Sequence, residues 1–119
     1  MWFRKEKSKA EEMTVVPVEN DQELDKILVS KLAVLYKHST SCGVSAFAYR
    51  EVKKFATEHP EVPVYLVKVI QQRPLSNRIA DHFEIRHESP QAFVIKEGSE
   101  TWNGSHQQVT AANLALQVG

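Results

Sequence analysis

Hydrophobic positions along this chain alternate between short continuous runs and stripes of helical period. Thr14-Val15-Val16-Pro17-Val18 is β-branched and interrupted by proline, which predicts an edge strand. Asn20 or Asp21 is placed to cap a helix, and Asn20-x-x-Glu23 resembles a capping box ahead of Leu24, Ile27 and Leu28 at helical spacing. Leu32-Ala33-Val34-Leu35-Tyr36 is an unbroken apolar run of strand length, as expected where both faces are buried. The polar turn His38-Ser39-Thr40-Ser41 leads into a second helix. Its stripe is Val44, Phe47, Ala48, Val52, Phe55 and Ala56, and its end falls near His59-Pro60. Residues 62–70 form the next strong strand, with Pro63 near its start. Arg73-Pro74 opens a third helix with Leu75, Ile79, Ala80 and Phe83 on one face. Gln91-Ala92-Phe93-Val94-Ile95 is another core strand. Glu97-Gly98-Ser99 reads as a hairpin turn and Glu100-Thr101-Trp102-Asn103 as the partner strand. Thr110 caps a last helix through Leu114, Leu116 and Val118.

The order is βαβαβαββα, an α/β chain. Strands separated by helices are expected to pair in parallel through right-handed crossovers, and the last two, joined by a tight turn, to be antiparallel. A mixed sheet with helices on both faces follows. With 119 residues there is room for one domain, read as 13–119 behind a flexible, mixed-charge extension over 1–12, whose Trp2 and Phe3 either dock on the body or stay unpacked. Fifteen basic and fifteen acidic residues give zero formal charge, so the basic excess of a typical nucleic-acid binder is lacking. No apolar stretch reaches the ~18 residues of a membrane span, and no apolar region follows the basic start as in a secretory signal. A cytoplasmic monomer is the expectation.

The lone cysteine, Cys42, excludes an intrachain disulfide and fits a reducing compartment. It stands where a strand runs into a helix, beyond the carboxyl end of a central strand, where open α/β sheets place their sites. Unpaired N–H groups and the positive end of the helix dipole there stabilise a thiolate. Such positions lower a cysteine pKa by one to several units from about 8.5, giving more nucleophile at neutral pH and a better leaving group. A buried, inert cysteine is the alternative. Polar Ser41, flexible Gly43 and an apolar stripe that begins only at Val44 all speak against it.

Thr40-Ser41-Cys42-Gly43-Val44-Ser45 resembles the C-x-x-C motif of thioredoxins and glutaredoxins with Ser45 in place of the second cysteine. His87-Glu88-Ser89-Pro90-Gln91-Ala92-Phe93 resembles the loop in which that superfamily carries a cis-proline before its antiparallel strand. The element order is that of a full thioredoxin fold. Together these features resemble the monothiol bacilliredoxins of the YtxJ family, over roughly residues 14–118 as topology. The resemblance implies Cys42 as the catalytic nucleophile, and Thr40, Ser41, Ser89 and Pro90 as substrate-binding positions. It implies bacillithiol as co-substrate with no tightly bound cofactor, S-thiolated proteins as partners, and a role in oxidative stress. Gly43 departs from the proline that many members carry, which leaves an N–H available in a looser turn.

Ser45 cannot resolve a mixed disulfide, so exchange at Cys42 stops until another thiol arrives. The Ser45 hydroxyl either supports the thiolate, with Gly43, or is an inert residue of the first turn. Lys37 is the one candidate for the lysine that glutaredoxins often carry before the nucleophile. His38 and His87 read as polar loop residues, with a Cys-His pair the alternative. His82 and His106 read as surface positions and His59 as a helix end. Gln91 reads as structural. Arg73 and Arg78 are either cations for an anionic thiol or a solvated face. No metal-ligand spacing and no glycine-rich phosphate loop occur. Two rival functions stay open: an adaptor of the same fold without redox turnover, and a sensor whose modified Cys42 is read by a partner.

Overall fold

The computed structural model describes residues 14–40 and 43–119. The 1–12 extension, Ser41 and Cys42 lie outside the described residues. The elements run β1 (Val15–Pro17), α1 (Asp21–Leu28), β2 (Leu32–His38), α2 (Gly43–Glu58), β3 (Val64–Lys68), α3 (Arg73–Phe83), β4 (Gln91–Lys96), β5 (Ser99–Ser105), a 3₁₀ turn (His106–Gln108) and α4 (Ala111–Val118). The five strands form one sheet in the order β1-β3-β2-β4-β5. No helix among the described residues is long and apolar enough to cross a membrane.

β2 sits at the centre, and six of its seven residues are buried, which is why its sequence is apolar without alternation. Val34, Tyr36, Val64, Ala92 and Val94 face α2 and α4, packing on Ala48, Val52, Phe55 and Leu114. Ala33, Leu35, Val67, Phe93 and Ile95 face α1 and α3, packing on Leu24, Ile27, Leu75 and Ile79. Caps form where the polar residues predict them. Asn20 accepts from the Glu23 N–H, and Thr110 accepts from the Asn113 N–H. The return arm of the first box goes to the Glu19 N–H, one residue before the cap.

One expectation is corrected. β1 and β2 are both parallel to β3, as helical crossovers require. β4, although it also follows a helix, runs antiparallel to β2, with Gln91 opposite Lys37 and Lys96 opposite Leu32. α3 ends on Glu84 in the left-handed conformation (φ 55°), and residues 84–90 bring the chain back to the carboxyl end of β2, not its start. Hydrophobic period reports which residues are buried, not the end at which the chain re-enters a sheet. The β4–β5 hairpin turns on Glu97 and Gly98, both at positive φ (52° and 76°), a conformation that favours glycine and matches strand twist.

Candidate active site

β2 ends and β4 begins at the same edge of the sheet, side by side. Beyond β2 lies the start of α2, and before β4 lies the Ser89-Pro90 loop, so the two motifs singled out in the sequence leave neighbouring strands at one end. Cys42, outside the described residues, directly precedes Gly43 in the chain. α2 is 16 residues long and carries no acidic residue in its first turn, so no side chain of that turn offsets the positive end of its dipole. Gly43 is exposed, and a Cβ there would meet nothing within 4 Å among the described residues. Space therefore does not demand glycine at this position. Thr40 is exposed in the turn. Ser45 is fully buried, and its Oγ accepts the Ser39 N–H at 3.4 Å, tying the turn to the helix.

On the α2 face, the end of β2 carries a polar-aromatic group within an otherwise apolar core. Tyr36 is fully buried, with its hydroxyl 3.0 Å from His38 Nδ1 and 3.1 Å from the Ser45 carbonyl. The hydroxyl donates to the carbonyl, so both contacts are hydrogen bonds only when His38 holds its proton on Nδ1. The His38 ring also lies 4.9 Å from that of Tyr49. His38 is thus a buried strand residue and not the loop residue expected. Burial, with help from Lys68, pushes its pKa below the ordinary histidine value and keeps the ring neutral. Tyr36 was absorbed by the apolar run in the sequence, and nothing in its spacing announced a hydrogen-bonding role.

The opposite face carries a second polar group. Lys37 has no exposed surface, and its Nζ lies 3.1 Å from His87 Nδ1 and 5.7 Å from the centre of the Phe93 ring. Burial lowers its pKa from 10.5 to about 8. Lys37 shares a sheet face with Leu35 and Phe93, which pack on α1 and α3, while α2 packs on the other face. Its ammonium therefore lies on the face of the sheet opposite the one on which α2 packs. The Oγ of fully buried Ser76 is 3.4 Å from the same Nδ1 of His87. His87 is a half-buried loop residue. Burial, then Lys37 and Arg73, lower its pKa, and Glu88 opposes them.

Gln91, 1% exposed, clamps the loop ahead of it. Its Oε1 accepts the Glu88 N–H and its Nε2 donates to the Arg86 carbonyl, both at 3.1 Å. The Ser89-Pro90 bond is cis, and Pro90 is buried with its carbonyl accepting the His106 N–H. Ser89 Oγ is buried without a hydrogen-bond partner among the described residues. Arg78 is committed elsewhere: its two terminal nitrogens bind Asp21 and Asp25 at 2.7 and 2.6 Å, joining α3 to α1. Arg73 is exposed at the start of α3. His82 and His106 are exposed, and His59 stacks on Phe55 at the end of α2.

Residues 16–114 match the family described as monothiol bacilliredoxin BrxC. Among solved structures, the chain is 30% identical to a putative oxidoreductase with a thioredoxin fold, with a TM-score of 0.84 over 90% of this chain and 96% of that one. It also superposes on the thioredoxin of Plasmodium falciparum at 16% identity, TM-score 0.68, covering 87% and 94% of the two chains. A third likeness is to thioredoxin NaTrxh of Nicotiana alata at 14% identity, TM-score 0.69, covering 88% and 90%. The last two establish the thioredoxin fold, and the family match over most of the chain adds a thiol redox role. The chain belongs to the monothiol bacilliredoxin family.

Proposed function

We propose that this chain is a monothiol thiol–disulfide oxidoreductase that removes bacillithiol from protein mixed disulfides, with Cys42 as nucleophile. One observation carries this reading. A long helix with no acidic residue in its first turn and the Ser89-Pro90 loop arise from neighbouring strand ends, and the only cysteine of the chain directly precedes that helix in sequence. The Cys42 thiolate attacks the bacillithiol sulfur of the mixed disulfide. A Cys42–bacillithiol S–S bond forms as the old S–S bond breaks, and the electron pair leaves on the client sulfur, which takes a proton from solvent. Ser45 offers no resolving thiol. A second bacillithiol thiolate therefore attacks the adduct, releasing the Cys42 thiolate and bacillithiol disulfide. Thr40, Ser89 and Pro90, with Ser41 by its place in the sequence, are the positions assigned to binding the extended client segment. Of the two arginines, Arg73 is exposed and is assigned to the carboxylate of bacillithiol, whereas Arg78 is already held by two aspartates.

The test is intact mass of the protein after brief exposure to a bacillithiolated client, beside Cys42→Ala. The expected result is a gain of one bacillithiol on the unsubstituted chain, release of the client thiol, and neither with the variant. No transfer at neutral pH from a folded chain would overturn the enzyme reading and leave a non-catalytic adaptor.

A further inference from the structure

Three buried polar side chains from three elements converge on one short loop. Lys37 on β2 and Gln91 on β4 are direct cross-strand partners, and both reach residues 86–88. Gln91 holds the backbone at Arg86 and Glu88. Lys37 holds the His87 ring between them, and Ser76 on α3 meets the same ring nitrogen. A loop that only needed a place on the surface would be held more cheaply by apolar contacts. Hydrogen bonds from buried groups fix direction as well as position. A fully buried lysine is a costly way to do this, since among the described residues no carboxylate pairs with it. Residues 86–88 lead straight into Ser89-Pro90.

Resting on the function proposed above, we propose that Lys37 is a positioning residue: through His87 it holds the 86–90 loop in the shape that receives the extended backbone of a client protein.

The contact has a defined polarity. An ammonium only donates, so His87 Nδ1 must be the bare nitrogen and the ring must be neutral. The charged groups facing His87 are Lys37 from β2, Arg73 from α3 and Glu88 from the loop itself. Glu88 is shared with His106 at 3.6 Å and Arg86 at 3.9 Å. Lys37 faces His87 and the Phe93 ring. Acid places an imidazolium against the ammonium and breaks the contact. Alkali, past a Lys37 pKa of about 8, leaves a neutral amine and removes the charge assistance. Loop shape therefore holds best in the window between these two titrations.

Backbone amide NMR of the full chain from pH 5 to 10 tests the contact without reference to activity. In the unsubstituted protein the Glu88 and Ser89 amides are expected to shift with a step near pH 8, and that step should be absent from Lys37→Met. Kinetics test the consequence. For Lys37→Met, the ratio of kcat/KM on a bacillithiolated protein to that on a small aromatic disulfide is expected to fall about tenfold, chiefly through KM for the protein. His87→Gln keeps a neutral acceptor, so its ratio should stay within about threefold of the unsubstituted chain's and lose the acid limb. Loop amides that match between the unsubstituted chain and Lys37→Met at every pH would overturn the proposal, as would an equal loss on both substrates. If the unsubstituted chain transferred thiol from neither substrate, the proposed function would fall, and the loop amides would still decide the Lys37–His87 contact.

Discussion

Lys37 has no exposed surface, and its pKa of about 8 means that at neutral pH the fold carries a buried charge it would be more stable without. The unfolded chain holds that proton up to a pKa near 10.5, the folded chain only to about 8. Between these values the unfolded state binds more protons, so stability rises with pH there and is lost as pH falls from 10.5 to 8. The full penalty applies below 8, and 2.5 units correspond to about 3 kcal/mol. Lys37→Met fills a similar volume without the charge. It is expected to be more stable than the unsubstituted chain at pH 7 by about 1–3 kcal/mol, the difference closing by pH 10. Urea denaturation of both proteins at the two pH values measures this. An equal or lower stability of Lys37→Met at pH 7 would mean that the amine is not held as a desolvated charge. A residue retained at such a cost is easier to understand as serving function than as serving the core. Ser89 has the same character on a smaller scale. Its buried Oγ lacks a partner among the described residues, and Ser89→Ala should raise the urea midpoint, by about 1 kcal/mol of stability. A lowered midpoint would show that the hydroxyl is bonded.

At the scale of elements, Gly43 is the clearest case of a residue not required by its surroundings. It opens α2, its added Cβ would touch nothing within 4 Å among the described residues, and glycine costs a helix more conformational entropy than alanine does. Gly43→Ala should stabilise the fold by about 0.5–1 kcal/mol, read from denaturant midpoints at constant m. A destabilised Gly43→Ala would mean that the free backbone at this point serves the fold and not the site. The helices and strands themselves were legible because each carries a run or stripe of apolar residues, and Asn20, Pro74 and Thr110 mark three helix starts that the structure reproduces. The direction of β4 was not legible, because residues 84–90 decide it and carry no periodic signal. The site was legible in part. Ser89 and Pro90 stand at the end of the sheet where β2 ends because the motif places them immediately ahead of a core strand. The Lys37–His87 contact spans fifty residues, and no spacing rule couples its partners. Lys37 read as a candidate lysine ahead of the nucleophile and His87 as loop, and only the register of β2 on β4 brings them together.

Across the whole molecule, buried polarity is segregated. The buried polar or charged residues among those described are Lys37, His38, Ser45, Ser76 and Gln91, and all gather around the carboxyl end of β2. The other end of the sheet, where the 97–98 turn packs on Ser30 and Lys31, closes on apolar side chains and backbone bonds. The same fold is therefore held by two kinds of force at its two ends, and the buried histidines lie at only one of them. His38 and His87, one on each face of the sheet, both have lowered pKa values because burial opposes their charged forms. The unfolded chain binds protons at these two sites before the folded chain does. Stability falls as pH drops from the ordinary histidine value through the lowered ones. The loss should be local before it is global. Amide hydrogen exchange at pH 7.5 and pH 5.5, corrected for intrinsic rates, is expected to show lost protection at the Val69 N–H, bonded to the His38 carbonyl, and at the Glu88 N–H, bonded to Gln91. The Glu97 and Gly98 amides, bonded to Lys31 and Ser30, should keep theirs. A uniform loss across both ends would mean that the two histidines titrate only with global unfolding. A loss confined to the β2 end would place the adjustable part of the protein where the proposed chemistry needs it, on an apolar frame that does not respond to pH.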